Sequence, residues 1–112
     1  MSFPSILRSV VGAALLVNAV PHGVSGVQGQ PFPSPFADPP GVGDSPPLVN
    51  VAWSAANASA GALLLRGGAR SRGEALGAVL GGVGMAFALA FHFGDVRRGG
   101  KGLRGLADRA RH

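Results

Sequence analysis

The sequence predicts an all-α membrane protein, with three transmembrane helices and a Pro/Phe-rich loop between helices 1 and 2, in a single membrane domain over residues 1–112. Three observations carry this prediction. Charged residues make up 13% of the chain, against about 25% in an ordinary soluble domain. They are unevenly placed, since only Asp38 and Asp44 are charged between Arg8 and Arg66. And three apolar stretches have the length, about 20 residues, that a helix needs to cross a hydrocarbon core of about 30 Å.

The first span covers about residues 4–27, with SVVGAALLVNAV at its centre. Pro21 lies inside it and has no N–H, so the carbonyl of Val17 loses its helical partner and a kink is expected there. Arg8 followed by an apolar core and small residues also fits a secretory signal peptide. No clear A-x-A site follows, however, and Pro21 occupies the region where cleavage would fall; the segment is therefore taken as a retained helix. The loop, residues 28–46, leads into a run that holds seven of the nine prolines, Pro31 to Pro47. Such a segment favours polyproline II or turns. Phe32 and Phe36 alternate with the prolines, and each ring left in water would cost roughly 1.5–3 kcal/mol. The expectation is a semi-rigid cap anchored by Phe32 and Phe36 on helix ends or at the lipid interface.

The second span, residues 47–65, is the weakest because asparagines and serines interrupt it. A short basic loop, residues 66–72, carries Arg66, Arg70 and Arg72. The third span, residues 73–95, has no charge between Glu74 and Asp95. The tail, residues 96–112, holds six Lys/Arg and one Asp. Its Leu103, Leu106 and Ala110 lie at helical spacing among Arg104, Arg109 and Arg111, which suits a basic turn resting on anionic lipid. Its glycines favour a solvated, disordered tail instead. Arginine outnumbers lysine nine to one, as in a GC-rich bacterial genome. The six basic tail residues face four on the other side, Arg8 and the three loop arginines. Lys/Arg enrichment on the cytoplasmic side then leans towards a cytoplasmic C-terminus in a bacterial inner (cytoplasmic) membrane.

Polar residues inside the spans form two stripes. Asn18, His22 and Ser25 share one helical face, with Pro21 between them. Asn50, Ser54, Asn57 and Gly61 share another, with Trp53 beside Asn50. Polar side chains in lipid turn inward and find partners, so Asn18 and His22 are expected to meet Asn50, Trp53 and Asn57. The cluster can act as interhelical glue, at about 0.6 kcal/mol per contact, or His22 can serve as a proton-accepting group in a small polar cavity. Gly73, Gly77 and Gly81 form two overlapping G-x-x-x-G units on the third span, a face for close helix packing. Phe91, His92 and Phe93 read as an interfacial belt, with His92 an anchor. His22, Asp38 and Asp44 lack the spacing of metal ligands. No P-loop, G-x-S-x-G or paired carboxylates occur, so neither cofactor nor enzymatic activity is expected. The expected partners are the lipid bilayer and a second copy or another membrane protein. Nucleic acid is not expected, because the high pI comes from a tail on a membrane protein.

NAVPHGVSGVQGQPFPSPFA, then PPGVG, then NVAWSAAN and GALLL resemble a family of small uncharacterised bacterial integral-membrane proteins. Its pattern is an Asn-x-x-Pro-His helix end, a Phe-Pro-Ser-Pro-Phe loop and an Asn-Val-x-Trp-Gly helix start. The resemblance covers residues 18–65. It implies that Asn18, Pro21, His22, the Phe/Pro loop, Asn50 and Trp53 form one unit, and it brings no activity with it. Ser54 stands where the family often has glycine, which is expected to loosen packing beside Trp53. The functional expectation is a structural or accessory membrane component. The alternative is a small transporter or channel subunit using the polar cluster around His22.

Overall fold

The structure, a computed structural model, describes residues 2–111. In chain order it comprises helix α1 (Phe3–Val27), a two-residue strand β1 (Phe32–Pro33), its partner β2 (Asp44–Ser45), and helices α2 (Pro47–Leu65), α3 (Arg72–Arg97) and α4 (Leu103–Arg111). Three of the helices, α1, α2 and α3, are long and apolar enough to cross a membrane.

Local chemistry accounts for the helix boundaries. Ser2 caps α1 through a reciprocal pair with Ser5, each hydroxyl accepting from the other residue's backbone N–H at 3.3 Å. Pro4 occupies the first turn, where no N–H is needed. Pro21 sits inside α1 without ending it. Helix α2 begins on Pro46 and Pro47, which cannot donate and so cannot extend a helix backwards. Ser71 caps α3, accepting from the Glu74 N–H at 3.1 Å. The tail differs from the disordered chain that its glycines suggest, because α4 forms there. The Asp95 carboxylate accepts the Gly102 N–H at 2.9 Å, and the Asp95 carbonyl accepts the Gly100 N–H at 2.8 Å, which closes the turn between α3 and α4.

The whole is flat, 42 × 38 × 17 Å. Helix α1 is central and packs on both α2 and α3. Along α2 the partners run in opposite order to α1: Gly12 lies beside Leu65, Ala19 beside Ser54 and Gly26 beside Val51. Along α3 they run in the same order, from Ile6 beside Gly77 to His22 beside Phe93. The helices therefore go up, down and up. Arg8 and the α2–α3 turn share one end, where an Arg8 nitrogen lies 3.7 Å from the buried Glu74 carboxylate. The Pro/Phe loop and α4 share the other.

Small residues set the helix separations. A side chain on Gly81 would run into the backbone of Val10, and one on Gly77 would lie 3.2 Å from the Ile6 carbonyl. A Cβ on Gly61 would fall 2.7 Å from the Gly12 carbonyl. Gly73 is half-buried in the first turn of α3. The G-x-x-x-G face at Gly77 and Gly81 is thus filled by α1 of the same chain and is not a free seam for a second copy.

The distribution of side chains is the reverse of a soluble core. Among the described residues, the buried apolar ones are Ala19, Phe32 and Ala37, whereas Ser9, His22, Ser34, Ser45, Asn50, Asn57 and Glu74 are buried and polar. Val20, Leu63, Leu80 and Phe87 are more than half exposed.

The glycine geometry gives a matched pair of variants. Gly81→Leu forces α1 from α3 and is expected to lower stability by about 1–3 kcal/mol. Gly84→Ala meets no atom within 4 Å and is expected to be neutral or to gain up to about 1 kcal/mol from helix propensity. Reversible unfolding in mixed micelles, followed by helical circular dichroism, checks both.

Candidate functional site

The site lies where the loop meets the ends of α1 and α2, and Asn50 is its hub. Its position one turn into α2 directs the side chain at the loop, and it is fully buried. The Asn50 amide nitrogen donates to the carbonyls of Phe32 at 2.9 Å and Ser45 at 3.2 Å, with Pro46 at 3.4 Å. These contacts fix the amide orientation, so its oxygen must accept. It does so from His22, whose Nδ1 lies 2.7 Å away. His22 Nδ1 therefore carries a proton and is the donor in this contact.

Phe32 and Ser45 pair across the minimal antiparallel ladder, so one amide holds both sides of the loop. The loop also binds itself. The Ser34 and Ser45 hydroxyls are 2.6 Å apart, the Ser34 hydroxyl accepts the Phe36 N–H at 3.1 Å, and the Ser34 carbonyl accepts the Gly41 N–H at 2.8 Å.

Aromatic rings enclose the imidazole. Phe32, Phe93 and Trp53 meet His22 edge-on at centroid distances of 5.4, 5.9 and 6.5 Å. Such edge contacts suit the ring quadrupoles. Farther along, the Asn18 amide donates to the Asn57 side-chain oxygen at 3.0 Å, and the Asn57 amide donates to the Trp53 carbonyl at 2.9 Å. Ser54 donates to the Ala19 carbonyl at 2.7 Å. A Cβ on Gly23 would lie 2.6 Å from the Ser54 oxygen, so glycine there admits the hydroxyl. The Ser54 hydroxyl is thus taken up by α1.

The two stripes thus face each other, with His22 on Asn50 and Asn18 on Asn57. Other expected members are placed differently. Pro21 lines a groove between α1 and α3 with Val20 and Val24, away from the amide cluster; it lacks a donor and contributes only to the shape of α1. The loop's two rings also part company. Phe32 is buried, while Phe36 is 65% exposed and rests its edge on Trp53 at 5.1 Å. Trp53 contributes its carbonyl and ring faces; its indole N–H is buried without a partner.

Three contributors escape the sequence reading. Gly12, Gly23 and Gly26 let α2 approach α1, and their spacing with Ala19 at i, i+7, i+11 and i+14 was a legible stripe of small residues. The Ser34–Ser45 bond has no local signal. His92 does more than anchor an interface: its Nδ1 accepts the Leu103 N–H at 3.0 Å, which leaves Nε2–H to donate to the Gly41 carbonyl at 2.7 Å. It ties α3, the loop and the start of α4 together. Gly102, at φ +62, leaves room for the ring, which a Cβ would strike. Among the described residues, no group of three or more His, Cys, Asp or Glu could hold a metal ion. Comparison of the chain with known protein families, curated proteins and solved structures finds no match.

The two asparagines are expected to differ sharply in weight. Asn50→Ala leaves the buried His22 N–H unpaired, at about 1–3 kcal/mol, and also removes the amide's bonds to the loop carbonyls, which keep their partners across the ladder. Asn57→Ala loses ordinary interhelical contacts, averaging about 0.6 kcal/mol. Micellar unfolding of both variants measures the difference, and equal losses would contradict the hub assignment.

Proposed function

We propose that the chain is a multi-pass protein of the bacterial inner (cytoplasmic) membrane, with a cytoplasmic C-terminus, and that it acts there as a structural or accessory component rather than as an enzyme. The membrane assignment is supported by the inverted burial pattern: amides, a histidine and serines lie inside while branched apolar side chains cover the outside. Soluble monomers rarely expose apolar surface on this scale. Charge supports the orientation weakly, through the six basic residues of the tail against four at the other end. The Asn-x-x-Pro-His, Phe-Pro-Ser-Pro-Phe and Asn-Val-x-Trp motifs support kinship with the small bacterial integral-membrane family that they resemble.

The observation that carries the accessory role is closure of the polar cluster within one chain. Asn50 joins His22 to the loop carbonyls, Asn18 joins Asn57, and Ser54 joins α1. Beyond Asn57 the α1–α2 seam continues through Gly12, Leu16 and Gly61 in close apolar contact. A conducting subunit needs a continuous polar path, and this seam supplies none. The partners are the surrounding bilayer and another membrane protein or a further copy of the chain, met through the exposed apolar faces.

Proteoliposomes under an imposed pH gradient test the role. The expected result is proton leakage equal to that of empty vesicles, unchanged by His22→Ala. A wild-type flux that His22→Ala abolishes would replace the accessory role with that of a small transporter or channel subunit.

A further inference from the structure

A groove of about 550 Å³ runs between α1 and α3 on the outside of the bundle. Its walls reach from Val17 to Ser25 on α1 and from Ala86 to Arg97 on α3, with Phe32 of the loop beside them. Val20, Val24, Ala86 and Ala90 are exposed along it, so the groove opens outward. At about 1.5 Å per residue, Ala86 to Arg97 covers about 16 Å of helix. That is close to half of a hydrocarbon core of about 30 Å, the depth of one leaflet.

The groove is apolar along its length and basic at one end. Arg97 is exposed and is the one charged member of the lining. Ser25 stands at the same level: His22 lies beside Phe93, and Ser25 and Arg97 each follow one turn later. The Arg98 guanidinium folds back over Gly94, another residue of the lining, and lies 3.6 Å from where a Cβ would stand. Among the described residues the cations held in salt bridges are Arg8 and Lys101, which leaves Arg97 and Arg98 without an acidic partner there. No carboxylate lines the groove to receive an ammonium group. One end therefore suits an anion, and the rest suits an alkyl chain one leaflet deep. Guanidinium groups pair with phosphate oxygens through two parallel N–H bonds. A second copy in the same membrane orientation would bring its own Arg97 and Arg98 to this depth, so like charges would meet.

We propose that the groove seats an anionic phospholipid, with an acyl chain along Pro21 and Ala90 and the phosphate at Arg97 and Arg98; this seat rests on the membrane assignment made above. Native mass spectrometry tests it on the full-length chain in mild detergent, offered phosphatidylglycerol and phosphatidylcholine with identical acyl chains. The expected result is retention of one phosphatidylglycerol with a preference of about five-fold or more, the worth of one basic residue at an anionic surface. Arg97→Gln with Arg98→Gln removes the preference. Arg104→Gln with Arg109→Gln, which takes the same charge from α4, preserves it. Ala90→Phe fills the groove from an exposed position and lowers retention of both lipids several-fold; Ala86→Phe serves if Ala90→Phe does not fold. Equal retention of the two lipids by the wild-type chain would overturn the proposal, as would a preference that survives loss of Arg97 and Arg98 or falls equally in the α4 variant. A dimer that Ala90→Phe dissociates would also overturn it, by giving the groove to a second copy. Sedimentation after lysis separates the two failures. A chain found with the membranes but without lipid preference loses the lipid seat alone, and a chain found in the detergent-free soluble fraction loses the membrane assignment as well.

Discussion

A proline-rich segment has more hydrogen-bond acceptors than donors, and the Asn50 side chain brings it a donor from α2. Proline contributes a carbonyl but no N–H. Between β1 and α2 the carbonyls of Phe32 and Ser45 each precede a proline, Pro33 and Pro46. In water such carbonyls are solvated. At the buried end of a helix bundle they need donors from the protein. Each of the two carbonyls accepts the other residue's N–H across the ladder, and the Asn50 amide adds a second donor to each. The amide's own oxygen then requires a donor, which the buried His22 ring provides. The co-occurrence of a Pro/Phe loop, an asparagine at the start of one helix and a histidine near the end of another thus has one cause. Each element satisfies a group that another leaves exposed.

That arrangement depends on close approach of the backbones. Gly12, Gly23, Gly26 and Gly61 bring α1 and α2 near enough for short side chains such as Asn18, Asn57 and Ser54 to bridge them. Gly77 and Gly81 do the same for α3, where they lie against the backbone and side chains of Ile6 and Val10. Dispersion and small-residue packing must therefore hold α3 over most of its length. At its ends, Glu74 meets Arg8, and Phe93 and His92 reach the loop. The loop is held from α2 by hydrogen bonds and from α3 by rings and one imidazole, which makes it the piece common to all three long helices.

Much of this was legible in sequence, for identifiable reasons. The three spans are visible because apolar length is a strong and local signal. The facing of Asn18 and His22 on Asn57 and Asn50 follows from helical periodicity and the cost of a lone polar group in lipid. What could not be read depends on partners distant in the chain. Phe32 and Phe36 are alike in sequence, and only the position of His22 and Phe93 decides which ring is buried. Helix α4 was obscured by glycines that serve the preceding turn, where Asp95 and His92 receive backbone N–H groups. The G-x-x-x-G motif specified close packing but not whether the neighbour is the same chain or another. Pro21 drew attention by its place between Asn18 and His22, yet it has no donor to bring to the cluster.

The central claim is that His22 and Asn50 act as one unit to hold the loop on the helices. A double-mutant cycle tests it most directly, with His22→Ala, Asn50→Ala and the double variant unfolded reversibly in the same mixed micelles. Residues sharing a buried network couple by about 0.5–3 kcal/mol. The account predicts a coupling in that range, with the double variant little worse than Asn50→Ala alone. Additive losses, with no coupling beyond error, would contradict it.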